Sequence, residues 1–237
     1  MSFINDPARV QEQYADEANL EARRALYANA TGPDPRELLF DAIRAARPTR
    51  VLEVGGGPGE LAARVREELG AEVVMLDVAP RMVELAQARG VDATVGDVQN
   101  LPFADGSFDL AIAAWMLFHV PDIDRALSEL ARVLRPGGRL VAVTNAAHHL
   151  EELRRIAGSR AWSTLTFDRE SGEALIRRHF PSVERLDADG EVVVEDDETV
   201  RAWVASLGPD IPEVLPPYEL PIRTRRATSI FVAEKPA

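Results

Sequence analysis

The sequence predicts a single α/β domain built on a doubly wound, mostly parallel sheet. Three observations predict it. Strand-like and helix-like segments alternate from Arg50 to Asn145 at the rhythm of βαβ units. A glycine-rich turn follows the first strand-like segment. The length of 237 residues and a hydrophobic content of 46% suit one large core, and no segment has the composition of a linker.

Helical patterns occupy the chain before the first strand. Val10, Tyr14 and Ala18 fall near one helix face, and the turn-forming segment "TGPDP" interrupts the pattern. Leu39 and Ile43 belong to a second amphipathic helix, which we expect to end before Pro48.

The central third of the chain alternates strictly between the two element types. We predict strands at "RVLEVG", "EVVMLD", "VDATVGD", "FDLAIAAW" and "RLVAVTN". We predict helices at "ELAARVREELG", "PRMVELAQARG" and "DIDRALSELARVLRPGG", the last with Asp122 as its N-cap. Two short helices, a strand or hairpin near 183–194, a helix from "DETVRAWVASL" and a final strand "ATSIFVAE" complete the prediction.

Composition excludes several function classes. A net charge of -12 repels phosphate polyanions, so nucleic acid is not expected as a partner. The chain has no cysteine, which excludes disulfides, thiolate nucleophiles and cysteine-ligated zinc, and no histidine cluster has metal-site spacing. The first twenty residues do not resemble a signal peptide, and no apolar run could span a bilayer. We therefore expect a cytoplasmic protein without membrane or metal partners.

The segment "EVGGGPGE" is the clearest functional signal. Gly55, Gly57 and Gly59 lie between a strand and its helix, where parallel sheets bind ligands, and glycine lets a ligand lie against the main chain. Dinucleotide-binding proteins use G-x-G-x-x-G there, but Glu60 occupies the third glycine position. Glu53 and Glu60 favour a cationic ligand over a pyrophosphate.

Four ordered segments resemble class I S-adenosylmethionine-dependent methyltransferases of the small-molecule type. "LEVGGGPGELA" looks like the first motif of that family. "VMLDVAPRMVELAQ", "VGDVQNLPFADGSFD" and "LSELARVLRPGGRLVAVT" follow in the family's order, so the resemblance covers roughly residues 50–145. It implies a seven-stranded sheet of order 3-2-1-4-5-7-6 whose last strand is antiparallel. It also implies a helical lid at 1–48, a cofactor-binding core at 49–145 and acceptor-side elements at 146–237.

The same resemblance assigns roles to individual residues. Asp77 would accept hydrogen bonds from the ribose hydroxyls of S-adenosylmethionine, and Asp97 would accept one from the adenine amino group. Ala114 and Trp115 would contact the methionine end, whose carboxylate Arg23 could meet. The full set of expected cofactor residues is Glu53, Gly55, Gly57, Gly59, Asp77, Val78, Asp97, Val98, Ala114, Trp115 and Arg23.

Three side chains are candidates for moving a proton or covering the site. His119 follows the fourth strand in a pattern common in the family, where packing or capping is an alternative to base catalysis. His148 and its neighbour His149 follow the fifth strand. Tyr14 lies on the expected lid and could donate a hydrogen bond into the pocket.

The sequence thus predicts an enzyme that moves a methyl group from S-adenosylmethionine to an N or O atom of a small molecule, with homodimerisation possible. A dinucleotide-dependent oxidoreductase is disfavoured by the glycine spacing and because Lys235 is the only lysine. An RNA or protein methyltransferase and a non-catalytic S-adenosylmethionine-binding protein remain alternatives.

Overall fold

A computed structural model describes residue 10 and residues 17–158, 165–207 and 214–237 of the chain. Within them, seven strands form one sheet of order β3-β2-β1-β4-β5-β7-β6. The strands are β1 (Arg50–Val54), β2 (Glu72–Asp77), β3 (Asp92–Val95), β4 (Phe108–Ala114), β5 (Leu134–Asn145), β6 (Ser182–Val194) and β7 (Ile222–Glu234).

Strand β7 is the only antiparallel neighbour in the described sheet. It runs antiparallel to both β5 and β6, whereas β1 pairs in parallel with β2 and β4, and β4 pairs in parallel with β5. The predicted fold class and strand order are therefore confirmed. The carboxyl ends of β1, β2, β4 and β5 consequently meet at one edge of the sheet.

Helices cover both faces of the sheet, and aspartate side chains cap the N-termini of several of them. The helices are α1 (Glu17–Ala25), α2 (Pro35–Ala46), α3 (Glu60–Leu69), α4 (Pro80–Ala88), α5 (Ile123–Val133), α6 (Glu151–Ile156), α7 (Arg169–Ile176) and α8 (Asp197–Ala205). The carboxylates of Asp34, Asp122 and Asp196 accept hydrogen bonds from main-chain N–H groups in the first turns of α2, α5 and α8. The predicted cap at Asp122 is confirmed.

Two element boundaries differ from the sequence prediction. Helix α5 ends at Val133 and β5 begins at once, because Pro136 disfavours helical geometry in the residue before it and Leu134 is already extended. Strand β7 begins at Ile222, not at Ala227. Its polar first half pairs with β6 and alternates buried and exposed residues. Because this half contains few hydrophobic residues, the sequence pattern did not indicate a strand there.

The hydrophobic core lies in two layers, one on each face of the sheet. Along β1, Val51 and Leu52 point to opposite layers, as the two-residue period of a strand requires. A third apolar cluster joins Leu26, which follows α1 directly, to Leu150 and to Trp203 of α8. This cluster holds α1 beside the sheet edge where the parallel strands end. No helix among the described residues is both long and apolar enough to cross a bilayer.

Candidate functional site

A cavity of about 870 Å³ opens at the carboxyl ends of β1, β2, β4 and β5. The glycine loop between β1 and α3 forms one wall, and α1 together with the start of α6 and the first half of β7 forms the opposite wall. The volume falls within the range typical of small-molecule sites. Most of the side chains predicted to bind a cofactor line this one space.

The three predicted glycines have left-handed backbones but differ in what surrounds them. Gly55, Gly57 and Gly59 have φ values of 64°, 57° and 77°. A Cβ at Gly55 would lie 2.7 Å from Met116 Cβ, and one at Gly59 would lie 2.7 Å from Ala86 Cβ. A Cβ at Gly57 would meet nothing within 4 Å. Gly55 and Gly59 therefore serve close packing, while Gly57 leaves room against the main chain.

Glu53 is a buried carboxyl group with an unsatisfied oxygen. Its residue is 2% exposed, and its Oε2 has no hydrogen-bond partner. Burial, and next the nearby carboxylate of Asp77, raise the pKa of Glu53 to about 8, although the Ala62 N–H opposes the shift. Buried polar atoms normally have hydrogen-bond partners, so this unsatisfied oxygen beneath the glycine loop indicates a site for a cationic ligand, which would stabilise the ionised carboxylate.

Asp77 connects the glycine loop to the end of β2. Its Oδ2 accepts a hydrogen bond from the Gly57 N–H at 2.9 Å, and its Oδ1 accepts one from the Ala79 N–H at 2.9 Å. The residue is 8% exposed, and burial raises the pKa of its carboxyl group despite these bonds. Asp77 therefore shapes the loop in addition to any contact with a ligand, which the sequence did not reveal.

Asp97 is an exposed residue that lines the cavity. Its carboxylate accepts hydrogen bonds from the Gln99 N–H at 2.8 Å and from the Gln99 side-chain amide at 2.9 and 3.1 Å. Val78 and Val98 also line the cavity. Apolar side chains with a carboxylate in the same cavity suit a flat ring that has a polar edge, and the adenine contact stays a prediction.

The ends of β4 and β5 are joined by a polar chain of contacts. Trp115 has a positive φ of 53°, and its indole N–H donates to Asn145 Oδ1 at 3.3 Å. The same oxygen accepts a hydrogen bond from the Thr228 hydroxyl of β7 at 2.8 Å. Ala114 and Trp115 both line the cavity, so this chain of contacts holds its floor in place.

The predicted catalytic residues have three different outcomes. His119 lines the cavity at the end of a 3₁₀ turn, half-buried, with its ring centroid 4.4 Å from that of Phe118. Tyr14 lies outside the described residues. His148 is not among the described residues that line the cavity. Its catalytic role stays a prediction, and it is its neighbour in the loop after β5 that lines the cavity.

That neighbour, His149, is the histidine that faces the cavity. It is 4% exposed, and its Nδ1 accepts a hydrogen bond from the Ala227 N–H at 3.0 Å. A neutral ring then carries its proton on Nε2, which lies 2.9 Å from the Tyr27 hydroxyl oxygen. Burial, and next the charge of Arg154, lower the pKa of His149 to about 3, so the ring stays neutral.

Tyr27 was missed by sequence reasoning. It lines the cavity just beyond the end of α1, and burial raises its pKa to about 12. No local pattern singles it out, since its partner His149 is far away in sequence. The adjacent histidines "HH" were the available signal, but the local sequence does not indicate which of the two rings lines the cavity.

Charged residues of α1 face the cavity and tie the helix to its neighbours. Arg23 lines the cavity, and its Nη2 donates to the main-chain oxygen of Ser206 at 2.6 Å. Arg24 forms a half-exposed ion pair with Glu60 at 2.7 Å, and Arg89 lies 3.7 Å from the same carboxylate. Glu60 is therefore paired within the protein, and Glu53 alone of the two flanking acids keeps an unsatisfied oxygen.

A search of the described residues finds no group of three or more histidine, aspartate or glutamate side chains arranged to hold a metal ion.

The segment that contains the glycine loop is similar to known proteins. Residues 52–142 match a family model described as a methyltransferase domain. The ubiquinone/menaquinone biosynthesis C-methyltransferase UbiE of Methylobacterium nodulans is 33% identical over 167 residues, which are 62% of this chain and 66% of that protein. The malonyl-[acyl-carrier protein] O-methyltransferase of Pseudescherichia vulneris is 32% identical over 163 residues, which are 65% of this chain and 60% of that protein. The chain thus covers less than two thirds of the length of these curated relatives.

A solved structure agrees at the level of the fold. A possible histamine N-methyltransferase from Thermotoga maritima superposes with a TM-score of 0.60 at 21% identity, covering 94% of this chain and 98% of that one. The family's cofactor is S-adenosylmethionine, and the residues present fit it. Glu53 has an unsatisfied oxygen for an ammonium group, and Gly57 leaves space beside the main chain.

The fold, the glycine loop and the matched domain agree with one another. Residues 52–142 therefore form a methyltransferase domain, and over that domain the chain resembles the class I S-adenosylmethionine-dependent methyltransferases.

Proposed function

We propose that the chain is an enzyme that transfers a methyl group from S-adenosylmethionine to an N or O atom of a small molecule. One observation carries the proposal: the buried Glu53 carboxyl group has an unsatisfied oxygen beneath a glycine loop that is tied to Asp77. Such an arrangement complements a ligand with an ammonium group and vicinal hydroxyls, and it would repel a pyrophosphate.

The bound cofactor supplies an electrophilic methyl group on a positively charged sulfur. The chain's own part is to hold, align and dehydrate the reactants, since displacement at this carbon depends on geometry more than on side-chain chemistry. Glu53 binds the ammonium group, Asp77 orients the ribose, and Asp97 with Val78 and Val98 holds the adenine. The main chain at Ala114 and Trp115 contacts the methionine end, and Arg23 is within the same cavity to meet its carboxylate.

A general base, where the acceptor needs one, is assigned to His119. It lines the cavity beside the end of β4 and is only half-buried, so it can exchange protons with solvent. His149 does not suit that role. Its Nδ1 already accepts a main-chain N–H, and its pKa of about 3 makes proton uptake unfavourable near neutral pH.

A small acceptor is supported by the shape and charge of the site. The cavity of about 870 Å³ has room for the cofactor and little more than a compact second ligand. The net charge of -12 disfavours a nucleic-acid substrate. The relatives' names mention both C- and O-methylation, so the choice of N or O is part of the proposal. A cytoplasmic location and a homodimer stay predictions.

The cofactor part of the proposal is tested by titration calorimetry with S-adenosylhomocysteine and by mass spectrometry of the protein as purified. We expect binding in the micromolar range or tighter. Turnover is then tested with methyl-labelled S-adenosylmethionine and fractions of a metabolite extract, with RNA and protein fractions as comparison. Label in a small-molecule fraction supports the proposal. Label in RNA or protein, or binding without transfer to any fraction, contradicts it in favour of the corresponding alternative.

A further inference from the structure

Arg226 of β7 presents a nearly buried positive charge to the cavity. It is 5% exposed, and β4 and β5 separate its strand from the β1 strand that carries Glu53. Its Nη2 donates to the main-chain oxygens of Thr31 at 2.9 Å and Pro33 at 2.5 Å, and its Nε has no partner. Among the described residues, no carboxylate lies within ion-pairing distance of this guanidinium.

A second buried arginine shows what a protein-paired guanidinium looks like in this fold. Arg169 is 9% exposed, lies outside the cavity wall, and donates to Asp189 in a bidentate pair that includes a contact of 3.2 Å. Asp187 lies 3.9 Å from its Nε. Buried arginines usually have such carboxylate partners, because desolvation of the charge is costly. Arg226 faces a cavity where a ligand could supply the missing carboxylate.

The Tyr27 hydroxyl group adds a hydrogen-bond donor at the same end of the cavity. Because His149 Nδ1 accepts the Ala227 N–H, its Nε2–H donates to the Tyr27 oxygen. The Tyr27 proton is then left to donate elsewhere, and no protein acceptor takes it among the described residues. With a pKa of about 12, the hydroxyl keeps that proton at physiological pH.

The surrounding charges are mostly positive as well. Arg23 and Arg36 line the cavity with Arg226, and all three lower the pKa of Tyr27 against the larger effect of burial. Asp34 also lines the cavity, but its carboxylate already caps α2 by accepting a hydrogen bond from the Arg36 N–H at 2.8 Å. This end of the cavity therefore favours a negatively charged group.

We propose that the methyl acceptor carries a carboxylate or an equivalent oxyanion, which Arg226 and Tyr27 bind at the β7 end of the cavity. The remaining walls at this end include Leu150, Trp203 and Leu207, so the acceptor also has an apolar body. This inference rests on the proposed function, because it names the class of acceptor for the same site.

The test uses the full chain saturated with S-adenosylhomocysteine and measures binding of matched probes by calorimetry. Benzoate and octanoate are compared with their neutral amides, benzamide and octanamide, and with the cation benzylamine. We expect at least one carboxylate to bind about tenfold or more tightly than its amide, because a hydrogen bond to a charged group is stronger than one to a neutral group. Equal binding of acids and amides, preference for benzylamine, or no carboxylate binding would overturn the inference.

Two variants and their controls locate the binding group. Arg226→Met and Tyr27→Phe should each weaken binding of the carboxylate probe about tenfold or more, and should weaken binding of its amide less. Arg226→Lys should lose less of the carboxylate affinity than Arg226→Met. Arg225→Met removes the same charge from the exposed face of the same strand, and Tyr218→Phe removes a hydroxyl that does not line the cavity. Neither should change probe binding.

Binding of S-adenosylhomocysteine separates this inference from the proposed function. If Arg226→Met and Arg226→Lys bind it like the parent, both variants are folded and the carboxylate result decides the inference alone. If the parent itself fails to bind S-adenosylhomocysteine, the proposed function is wrong. If carboxylate binding is unchanged in Arg226→Met and in Tyr27→Phe, the acceptor class assigned here is wrong.

Discussion

The two ends of the cavity have opposite electrostatic character. At the end formed by β1, β2 and β3, Glu53, Asp77 and Asp97 face the space, and the burial of Glu53 and Asp77 raises the pKa of both groups. At the end formed by β7 and α1, Arg226 and Arg23 face it. One cavity therefore offers an acidic subsite for a cationic ligand and a basic subsite for an anionic one.

The difference teaches how one open sheet can present opposite charges at the two ends of a single cavity. The acidic end uses local sequence, since each of the three acids belongs to or closely follows one of the parallel strands β1, β2 and β3. The basic end uses the antiparallel strand β7, whose residues come from the far end of the chain. We expect substitutions at the acidic end to weaken S-adenosylhomocysteine without weakening carboxylate probes.

The largest expected effect is that of Asp77→Ala on cofactor affinity. The variant removes both the predicted ribose contacts and the carboxylate that holds the Gly57 and Ala79 N–H groups. We expect S-adenosylhomocysteine to bind at least about 100-fold more weakly, because charged hydrogen bonds contribute roughly 1.5–3 kcal/mol each. Glu72→Ala, at the opposite end of the same strand, is the control and should bind like the parent. Parent-like affinity in Asp77→Ala would refute the ribose assignment.

Glu53 gives the site a pH dependence whose direction follows from its raised pKa. The folded protein without ligand keeps this proton up to about pH 8, whereas an unperturbed glutamate releases it near 4.5. The free energy of unfolding therefore falls as the pH rises through this window, and Glu53→Gln should remove that decline. Chemical denaturation at pH 5 and pH 8 measures the free energy of unfolding of the parent and of Glu53→Gln.

Cofactor affinity should change in the opposite direction. An ammonium group favours the ionised carboxylate, so binding at pH 7 should release about one proton and strengthen as the pH rises toward 8. Glu53→Gln should bind about 30-fold more weakly at pH 8 and show no proton release. Calorimetry in buffers of different ionisation enthalpy counts the proton. A pH-independent parent would show that Glu53 does not meet the ammonium group.

Gly57→Ala should give a smaller loss that isolates steric access to the glycine loop. Its φ is 57°, and the added methyl would project into open cavity space. We expect S-adenosylhomocysteine to bind about tenfold more weakly, through strain and displaced contact. Gly70→Ala is a matched control, because Gly70 has a φ of 68°, equal space and a position at the end of α3. If the two variants lower Tm equally but only Gly57→Ala weakens S-adenosylhomocysteine binding, the placement of the ligand against Gly57 is supported. Equal affinity in the two variants would contradict it.

The smallest expected effect concerns the ion pair between Arg24 and Glu60. Both side chains are more than one third exposed, and exposed pairs contribute at most about 1 kcal/mol. Arg24→Gln should therefore change cofactor affinity by less than about threefold, and the double variant with Glu60→Gln should show little coupling. A tenfold loss in Glu60→Gln alone would indicate that Glu60, rather than Glu53, meets the cationic ligand.

Most of the acidic end could be read from the sequence, because its parts are local. Glu53 lies in the first strand, two residues before the glycine loop begins. The two-residue period of that strand sets the direction in which Glu53 points. The sequence did not show that Asp77 braces the Gly57 N–H or that Glu60 is taken by Arg24. Both depend on side chains that meet across separate elements.

The basic end was largely invisible to the same reasoning. Its side chains come from three separate places. Tyr27 follows α1, His149 lies in the loop after β5, and Arg226 lies in the antiparallel strand β7. No sequence motif surrounds any of them. The adjacent histidines predicted a side chain over the site, and of the two it is His149 that lines the cavity. The next residue, Leu150, has a positive φ of 54°, and no propensity indicates a left-handed leucine.

By itself, the sequence determined the class of sheet, its order, the glycine loop and the acids at the first strand ends. Periodicity and local geometry predicted all of these features except the strand order, which only the resemblance to a known family implied. The tertiary structure alone decided which histidine faces the cavity, which acid keeps an unsatisfied oxygen and where a buried arginine lacks a carboxylate. Those outcomes depend on desolvation and pairing between segments far apart in the chain, which exist only once the sheet has formed.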